Sequence, residues 1–356
     1  MNEYWSRTLR QIEPYIPGDQ PQGMRLAKLN TNENPYPPSP KVISAIKEAA
    51  NDTLRLYPDP NCDELKDTIA HYYGISKEKV FVGNGSDEIL AFCYAAFFNP
   101  DEEILFPDIS YSFYPVYSTL FGIPYREIRL NDDFSVPVND FTTNNGGIVL
   151  PNPNAPTGRS LEVDRIVDIV KYNLRLKKVV IIDEAYIDFG GTSMIPYINE
   201  FPNLLIVQTL SKSRSLAGLR IGLAMGSEGL IEGLSRIKSS VNSYTIDRLA
   251  LVGAIEAFKD DHYFKSNCKK IIATRDRVSA ELVRLGFEVV PSKTNFIFVR
   301  HTTTKANELL VKLKERTIYV RHFNKPRIDN YLRISIGTDL EMDQLVKAVE
   351  EIVGGQ

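Results

Sequence analysis

Cysteine and histidine are scarce in this chain of 356 residues. The three cysteines stand apart without a CxxC pair, and the four histidines show no HExxH or other ligand spacing. We therefore expect no metal site built from these residues. The isolated cysteines also fit a reducing compartment rather than a disulfide framework.

Long apolar runs and one-sided charge are missing as well. The longest purely apolar stretch, "ILAFCYAAFF" at 89–98, is far shorter than the roughly 20 residues that a membrane helix needs. The opening "MNEYWSRTLRQIEPYIPG" lacks the apolar segment of a signal peptide. The net charge is -3 with both signs interspersed, so the chain has no basic stripe for nucleic acid. We expect a cytoplasmic protein that binds neither nucleic acid nor membrane.

The apolar residues that are present predict an α/β fold. From about residue 40, amphipathic helical segments alternate with short runs that read "KVFVG", "EILFP", "GIVLPN", "KKVVIIDEAY" and "NLLIVQTLS". Such runs lack polar alternation, which is typical of parallel strands buried on both faces. We therefore expect a large domain with a mostly parallel sheet covered by helices on both faces.

The pattern of predicted helices and strands changes after about residue 250, where a long helical stretch leads into "FEVVPSKTNFIFV", "TIYVRHF" and "NYLRISIG". This part predicts a smaller α+β domain. A last helix is expected to open at Thr338, because Glu341 three residues later completes a capping box. The predicted division is an N-terminal arm at 1–36, a large domain at 37–250 and a small domain at 251–356.

Candidate functional residues follow three of the predicted strands. In parallel sheets, ligands bind beyond the carboxyl ends of the strands. The first candidate is "GNGSDE" at 83–88, which follows "KVFV" and enters a helix. Glycines and unpaired N–H groups at a helix start suit a phosphate, although a turn capped by Ser86 explains the same letters.

The other two strand ends carry charge. Asp183 follows "KKVVII", where an acid is either a site residue or a helix cap, and no GxxxxGK[ST] loop accompanies it to form a nucleotide site. Lys212 follows "LLIVQTLS" and stands eight residues before Arg220 in a turn rich in glycine and serine. Lys212 is either an amine nucleophile or a solvated surface lysine.

The conjunction of these groups predicts a pyridoxal 5'-phosphate site. The lysine would bond to the cofactor aldehyde, the acid would keep the ring nitrogen protonated, and the arginine with the helix start would hold the phosphate. We therefore interpret Lys212, Asp183 and Arg220 as one site.

Five stretches in the same order resemble a known family. They are "GNGSDEIL", "PNPNAPTG", "IIDEAY", "SKSRSLAGLRIG" and "YLRISIG". Together they are similar to the fold-type I pyridoxal-phosphate aminotransferases of class II, and most closely to the histidinol-phosphate aminotransferases. The resemblance covers nearly the whole chain from "LNTNENPYPPSP" onward.

The resemblance implies roles for individual residues around the cofactor. Lys212 is the lysine attached to the cofactor, Asp183 contacts the ring nitrogen, Tyr186 contacts the ring oxygen and Tyr111 stacks on the ring. The residues implied at the phosphate are Gly85, Ser86, Asp87, Ser211 and Arg220. Asp87 is itself an acid, so it is expected to contribute only through its backbone N–H or as a cap.

One position departs from the family pattern. Many relatives carry asparagine directly before Pro-Thr-Gly, where its amide contacts the ring oxygen, but this chain has Ala155. The nearest amide is that of Asn154. Either a shifted Asn154 or Tyr186 alone is left to make the contact.

The resemblance also implies substrate and subunit contacts. Arg333 corresponds to the arginine that binds the anionic end of the substrate, and Arg321 to a second arginine that binds the phosphate of histidinol phosphate. Tyr15 and Asn32 lie in the arm that closes over the substrate. Tyr57 corresponds to a tyrosine that reaches the phosphate of the neighbouring subunit, which implies a homodimer.

The implied reaction is transamination between L-histidinol phosphate and 2-oxoglutarate, which yields imidazole acetol phosphate and L-glutamate in histidine biosynthesis. The cofactor motifs do not exclude another fold-type I enzyme, such as a threonine-phosphate decarboxylase or an aromatic aminotransferase. A regulator that senses the cofactor would need a DNA-binding module, for which the first 30 or so residues offer no basic helical pair. A cofactor-free binding protein is the remaining alternative.

Overall fold

The computed structural model describes residues 3–14 and 26–354. Within those ranges the strands are β1 (Ala27–Leu29), β2 (Val80–Asn84), β3 (Ile104–Pro107), β4 (Tyr125–Ile128), β5 (Ile148–Pro151), β6 (Val180–Asp183), β7 (Leu204–Thr209), β8 (Ile221–Gly226), β9 (Phe287–Val290), β10 (Phe296–His301), β11 (Ile318–His322) and β12 (Leu332–Ser335). The helices are α1 (Pro40–Ala49), α2 (Asp63–Tyr73), α3 (Gly85–Phe97), α4 (Phe113–Phe121), α5 (Val163–Arg175), α6 (Glu228–Val241), α7 (Arg248–Lys259), α8 (Asp261–Arg284), α9 (Ala306–Glu315) and α10 (Asp339–Gly354).

The larger sheet has seven strands in the order β2-β8-β7-β6-β5-β3-β4. The pairs from β7 through β6, β5 and β3 to β4 are parallel. Strand β8 runs antiparallel to both its neighbours, β7 and β2. The mostly parallel sheet predicted from the sequence is therefore confirmed.

Helices cover both faces of this sheet. Alternate residues of one strand enter different cores: Ile148 belongs to the core beneath α2, α5 and α7, whereas Val149 belongs to the core beneath α3, α4 and α6. Both side chains are fully buried. Burial on both faces explains why the central strands read as unbroken apolar runs.

The smaller sheet has the order β1-β11-β12-β10-β9. Its apolar face packs on α8, α9 and α10 through residues such as Ile271, Leu309 and Leu345. Strand β1 comes from the N-terminal part of the chain and pairs with β11 in parallel. The segment after β1 therefore leads directly from the smaller sheet toward the larger one.

The capping box at the last helix is confirmed. The backbone N–H of Thr338 donates to Glu341 Oε2 at 2.7 Å, and the Glu341 N–H donates to Thr338 Oγ1 at 3.4 Å. No helix in the described part of the chain is long and apolar enough to cross a membrane.

We propose that each sheet with its helices is one domain. Helix α7 packs closely with α1, and its residues Ala250 and Ala254 belong to a core of the larger sheet. Phe264 of α8 belongs to the core of the smaller sheet. On this basis we place the boundary between α7 and α8, slightly later than the residue 250 expected from the sequence.

Candidate active site

A cleft lies at the carboxyl ends of β5, β6 and β7. Pro151, Asp183 and Thr209 are the last residues of these strands, and all three line it. The full lining in the described chain is Ser86, Asp87, Tyr111, Pro151, Pro153, Ala155, Asp183, Ala185, Tyr186, Thr209, Ser211, Lys212 and Arg220. Sequence motifs far apart in the chain thus meet around one space.

The N-terminus of α3 forms one end of the cleft. Gly85 begins the helix with a φ of 78°, which favours glycine, and a Cβ there would lie 2.6 Å from Arg220 Nη2. Gly222 of β8 approaches even more closely, since a Cβ on it would lie 2.4 Å from the Gly85 carbonyl carbon. These two glycines allow the helix start, Ser86 and the Arg220 guanidinium to converge, as an anion cradle requires.

Asp87 uses its side chain as well as its place in the first turn of α3. Its Oδ2 lies 3.1 Å from Arg220 Nη2, and its Oδ1 accepts a hydrogen bond from the Tyr111 hydroxyl at 2.7 Å. The carboxylate therefore fixes both the guanidinium and the aromatic ring that border the cleft. No local sequence pattern indicates this bridging role.

Tyr111 is held as a neutral phenol. Burial and the neighbouring Asp87 carboxylate raise the pKa of Tyr111, because both disfavour a phenolate. Its ring presents an uncharged, fixed surface to the cleft.

Asp183 is a buried carboxylate with few partners for its charge. The side chain is only 6% exposed. Burial raises its pKa to about 6, against the opposing effects of two hydrogen bonds from the Tyr114 hydroxyl (2.9 Å) and the Ala185 N–H (3.1 Å). The nearby negative charge of Asp87 raises the pKa further. A cationic partner in the cleft would stabilise the ionised form.

Tyr114 is a site residue that sequence reasoning missed. It is fully buried in α4 and donates to Asp183 Oδ2. The ring packs edge-on against Tyr111, with centroids 5.7 Å apart. No local pattern marks Tyr114 as a site residue, because its partner Asp183 lies 69 positions further along the chain.

Glu184, the second acid of "IIDEAY", is held by protein donors. Its carboxylate accepts hydrogen bonds from Ser193 Oγ at 2.6 Å, the Met194 N–H at 2.7 Å and Gln208 Nε2 at 2.9 Å. Burial raises the pKa of Glu184 to about 7. Its contacts indicate a role in fixing the turn after β6.

Lys212 lies in the turn after β7, with its amine in the cleft. Its Nζ lies 3.3 Å from the Thr31 carbonyl oxygen and 5.9 Å from the centroid of the Tyr186 ring. Asn34 Nδ2 donates to the carbonyl oxygens of Lys212 (2.9 Å) and Ser213 (3.1 Å). The "NENP" loop therefore holds the backbone that carries the lysine.

Ser211 and Thr209 complete the wall beside Arg220. Thr209 Oγ1 donates to Ser211 Oγ at 2.9 Å, and Arg220 Nη1 lies 3.4 Å from the same serine oxygen. Hydroxyl and guanidinium groups thus lie side by side at the end of the cleft formed by α3.

The structure places Ala155, and not an amide, in the cleft wall. Asn154 is buried, and its Nδ2 donates to the Ile109 carbonyl oxygen at 2.9 Å and to Thr157 Oγ1 at 3.0 Å. The amide of Asn154 is thereby engaged outside the cleft lining. The phenols that line the cleft together with Ala155 are Tyr111 and Tyr186.

Arg321 and Arg333 lie opposite each other on adjacent strands. They are register partners in the antiparallel pair of β11 and β12. Arg333 Nη2 donates to the Asn30 carbonyl oxygen at 3.0 Å, and its guanidinium lies 5.4 Å from the ring centroids of Phe296 and Phe323. Like charges directly opposite are unfavourable unless an anion lies between or beside them.

A second, wider cleft adjoins the first. Ser110 and Pro156 line it, and each is next in sequence to a residue of the first cleft. Its lining includes the basic side chains Arg321, His322 and Lys325. The acids that line it in the described chain are Glu13 and Asp108, and Asp108 is paired with Arg327 at 2.7 Å.

Three predicted residues lie elsewhere. Asn32 is buried behind Tyr186 and donates to its hydroxyl at 3.0 Å. Tyr57 is 78% exposed and stacks on Tyr244 with centroids 4.5 Å apart, outside the cleft of its own chain. Tyr15 lies outside the described residues. Within residues 3–14 and 26–354 no cluster of histidine, cysteine or acidic residues could hold a metal ion.

Replacing Asp183 by asparagine tests the buried charge. The pKa of Asp183 is about 6 in the fold and 3.8 in its ordinary state, so the ligand-free protein loses stability as the pH rises from about 4 to about 6. The Asp183→Asn variant lacks this loss. Its free energy of unfolding, relative to wild type, should increase by up to about 3 kcal/mol between pH 4 and pH 7.

Urea unfolding of both ligand-free proteins at the two pH values measures this difference. Titrations elsewhere in the chain cancel in the comparison. A stability difference that does not change with pH would contradict the raised pKa of Asp183.

Comparison with known proteins identifies the relatives of this chain. A histidinol-phosphate aminotransferase of Clostridium botulinum (strain 657 / Type Ba4) is 57% identical over 353 residues, which is 99% of each chain. The histidinol-phosphate aminotransferase of Clostridium acetobutylicum is also 57% identical over 353 residues, 99% of this chain and 100% of its own.

Solved structures confirm the fold. The histidinol-phosphate aminotransferase from Sinorhizobium meliloti in complex with pyridoxal-5'-phosphate has a TM-score of 0.88 at 24% identity and covers 100% of this chain and 99% of its own. The aspartate aminotransferase tetra mutant 1 from Thermus thermophilus has a TM-score of 0.83 at 18% identity over 100% of both chains.

The family resemblance inferred from the sequence is confirmed at the level of a family model. The description of that family is aminotransferase class I and II, and it matches residues 25–349. With this match over most of its length, and relatives at 57% identity over 99% of it, the chain belongs to the class I and II aminotransferase family.

Proposed function

We propose that this protein is a pyridoxal-phosphate-dependent histidinol-phosphate aminotransferase, which converts L-histidinol phosphate and 2-oxoglutarate into imidazole acetol phosphate and L-glutamate. The observation that carries the proposal is that Lys212, Asp183 and Arg220 line one cleft. Relatives at 55–57% identity over 99% of the chain bear the name of this activity.

The residues of the cleft fit pyridoxal phosphate at both ends. At one end, two glycines without room for a Cβ bring the helix start of α3 against Arg220, which suits a phosphate dianion. At the other end, buried Asp183 suits a protonated ring nitrogen. Lys212 lies on the same cleft with an amine that suits an aldehyde.

The bound cofactor would supply an electron sink for the bond broken at the α carbon of the substrate. Ser86, Ser211 and Arg220 would hold its phosphate. Tyr111, fixed by Asp87, would lie beside its ring. Tyr114 would keep the Asp183 carboxylate in place through their 2.9 Å hydrogen bond.

Lys212 would move the proton in this reaction. Its Nζ would take the α proton of the substrate as a general base and later return a proton as a general acid. The turn that carries it is held by Asn34, so that the amine swings from a fixed backbone. Tyr186 would donate a hydrogen bond to the ring oxygen, the contact for which Ala155 offers no amide.

The two opposed arginines support a phosphate-bearing substrate. Arg321 and Arg333 would share a dianionic group better than a single carboxylate. His322 and Lys325 add donors in the same adjoining cleft. This arrangement favours histidinol phosphate over the unphosphorylated donors of an aromatic aminotransferase, and an assay for released carbon dioxide separates it from threonine-phosphate decarboxylation.

A second copy of the chain would complete the site. Tyr57 and Tyr244 form an exposed aromatic pair, and Leu54, Leu56 and Val241 nearby in sequence are also exposed. A homodimer that buries this surface would let Tyr57 reach the phosphate in the cleft of the neighbouring subunit. A monomer in sedimentation analysis would contradict this arrangement. We place the enzyme in the cytoplasm, where its scattered, unpaired cysteines suit a reducing compartment.

Lys212→Ala is expected to bind pyridoxal phosphate but to lose turnover by at least 10²- to 10⁴-fold, on the order of a lost general acid and base. Stopped-flow assays with L-histidinol phosphate measure the rate. Lys259→Ala, at a surface lysine paired with Glu256, is the control and should keep wild-type turnover. Steady turnover by Lys212→Ala would disprove its assigned role.

Arg321→Gln tests the recognition of the phosphate. Loss of a charge-assisted contact should raise KM for L-histidinol phosphate by roughly 10- to 100-fold. KM for L-histidinol, which has no phosphate, should change little. The same increase for both donors would show that Arg321 does not bind the phosphate.

A further inference from the structure

Asn32 has every polar group of its backbone and side chain engaged. It is 1% exposed and adopts a left-handed conformation with φ of 57°. Its N–H donates to Ser335 Oγ at 2.8 Å, and its carbonyl oxygen accepts from Asn295 Nδ2 at 2.9 Å. Its Oδ1 accepts from Ser335 Oγ at 2.9 Å, and its Nδ2 donates to the Tyr186 hydroxyl at 3.0 Å.

These bonds fix the orientation of the Asn32 amide. Ser335 Oγ accepts from the Asn32 N–H, so its own proton is directed to Asn32 Oδ1. The Oδ1 atom therefore faces Ser335, and the Nδ2 donor must face Tyr186. Tyr186 in turn accepts, which leaves its hydroxyl proton available to donate elsewhere.

The amide joins two parts of the molecule. Ser335 ends β12 two residues after Arg333, in the smaller sheet. Tyr186 follows β6 of the larger sheet and lines the cleft beside Lys212. Asn32 lies between them, three residues after β1.

We propose that Asn32 is a positioning residue that sets the direction of the Tyr186 hydroxyl, with Ser335 setting the direction of Asn32. By accepting from Asn32, the phenol directs its proton into the cleft. This inference rests on the proposed function, in which Tyr186 donates to the ring oxygen of pyridoxal phosphate. It assigns Asn32 a role through Tyr186 and not through contact with the substrate.

The direction of the Tyr186 hydroxyl is more important in this chain because Ala155 offers no amide to the ring oxygen. The cleft wall has a methyl group at the position next to Asn154, whose amide is bound to Ile109 and Thr157. The phenol of Tyr186 is then the main donor to the ring oxygen. If the Tyr186 hydroxyl donated to residue 32 instead, the ring oxygen would lose this hydrogen bond.

Asn32→Asp replaces the hydrogen-bond donor that faces the Tyr186 hydroxyl by an acceptor, with almost no change in the shape of the side chain. Aspartate tolerates the left-handed conformation. One carboxylate oxygen would still accept from Ser335, but the other would accept from the Tyr186 hydroxyl and draw its proton out of the cleft. Asn32→Gly keeps the backbone conformation and removes the amide.

The readouts are the pH midpoint of the visible absorption change of the protein loaded with pyridoxal phosphate, and the Kd of pyridoxal phosphate for the stripped protein. A hydrogen bond to the ring oxygen favours its ionised form, so losing the bond raises the midpoint. Tyr186→Phe and Asn32→Asp should each raise the midpoint by roughly one pH unit, as expected for one hydrogen bond. Asn32→Gly should raise it by less.

The double variant Asn32→Asp/Tyr186→Phe separates the effect of the reversed hydrogen bond to Tyr186 from the effect of the added negative charge. In the Tyr186→Phe background, Asn32→Asp should produce less than half the shift that it produces in wild type. Asn51→Asp, at an exposed turn, is the control for an added charge and should leave the midpoint unchanged. If Asn32→Asp does not fold, as judged by circular dichroism, Ser335→Ala should raise the midpoint in wild type but not in Tyr186→Phe.

Three results would overturn the inference. The first is a normal midpoint in Asn32→Asp, or in Ser335→Ala where that variant replaces it, while the midpoint of Tyr186→Phe is raised. The second is an equal shift in the wild-type and Tyr186→Phe backgrounds. The third is a shift in the Asn51→Asp control as large as the shift in Asn32→Asp. Each of these leaves the proposed function intact. A wild-type protein that gains no visible band with pyridoxal phosphate would instead contradict the proposed function itself, and the inference with it.

Discussion

A carboxylate buried at the carboxyl end of a parallel strand is the constraint on which this site depends. Asp183 ends β6 between two parallel neighbours and has almost no access to water. Its charge is costly unless a cation lies beside it. Tyr114 and the Ala185 N–H offset part of that cost and hold the carboxylate toward the cleft.

The rest of the cleft separates charge along its length. Asp183 lies at one end, and Arg220 with the positive end of α3 lies at the other. Asp87 joins the ends, because it pairs with Arg220 and fixes Tyr111. In the proposed function, a ligand with a cationic ring nitrogen and a phosphate would match these charges, and Lys212 lines the same cleft.

The smaller sheet contributes through strand register. Arg321 and Arg333 come to one place because β11 and β12 pair antiparallel. Ser335, on the same strand as Arg333, holds Asn32. In the proposed function, substrate recognition and the orientation of Tyr186 would therefore share one strand.

The sequence predicted the features that rest on local pattern. Strands β5, β6 and β7 were recognisable because burial on both faces leaves unbroken apolar runs, and the residues at their ends lie together because parallel strands share an edge. The family resemblance predicted the mixed fold, which the structure confirms.

Features that depend on tertiary pairing were not predictable. Strand β8 was missed because its glycines resemble a turn, and its place antiparallel to β7 comes from the sheet. Strand β4 was missed because three of its four residues are exposed. The hydrogen bonds of Asp87, Tyr114 and Asn32 join residues between 24 and 303 positions apart, a distance at which no local pattern gives a signal.

The most direct test of the account is the visible spectrum of the purified protein saturated with pyridoxal phosphate, recorded before and after L-histidinol phosphate is added alone. The account predicts that the band of the bound cofactor disappears on addition and returns when 2-oxoglutarate follows. A band that is present but unchanged by L-histidinol phosphate would contradict the proposed substrate.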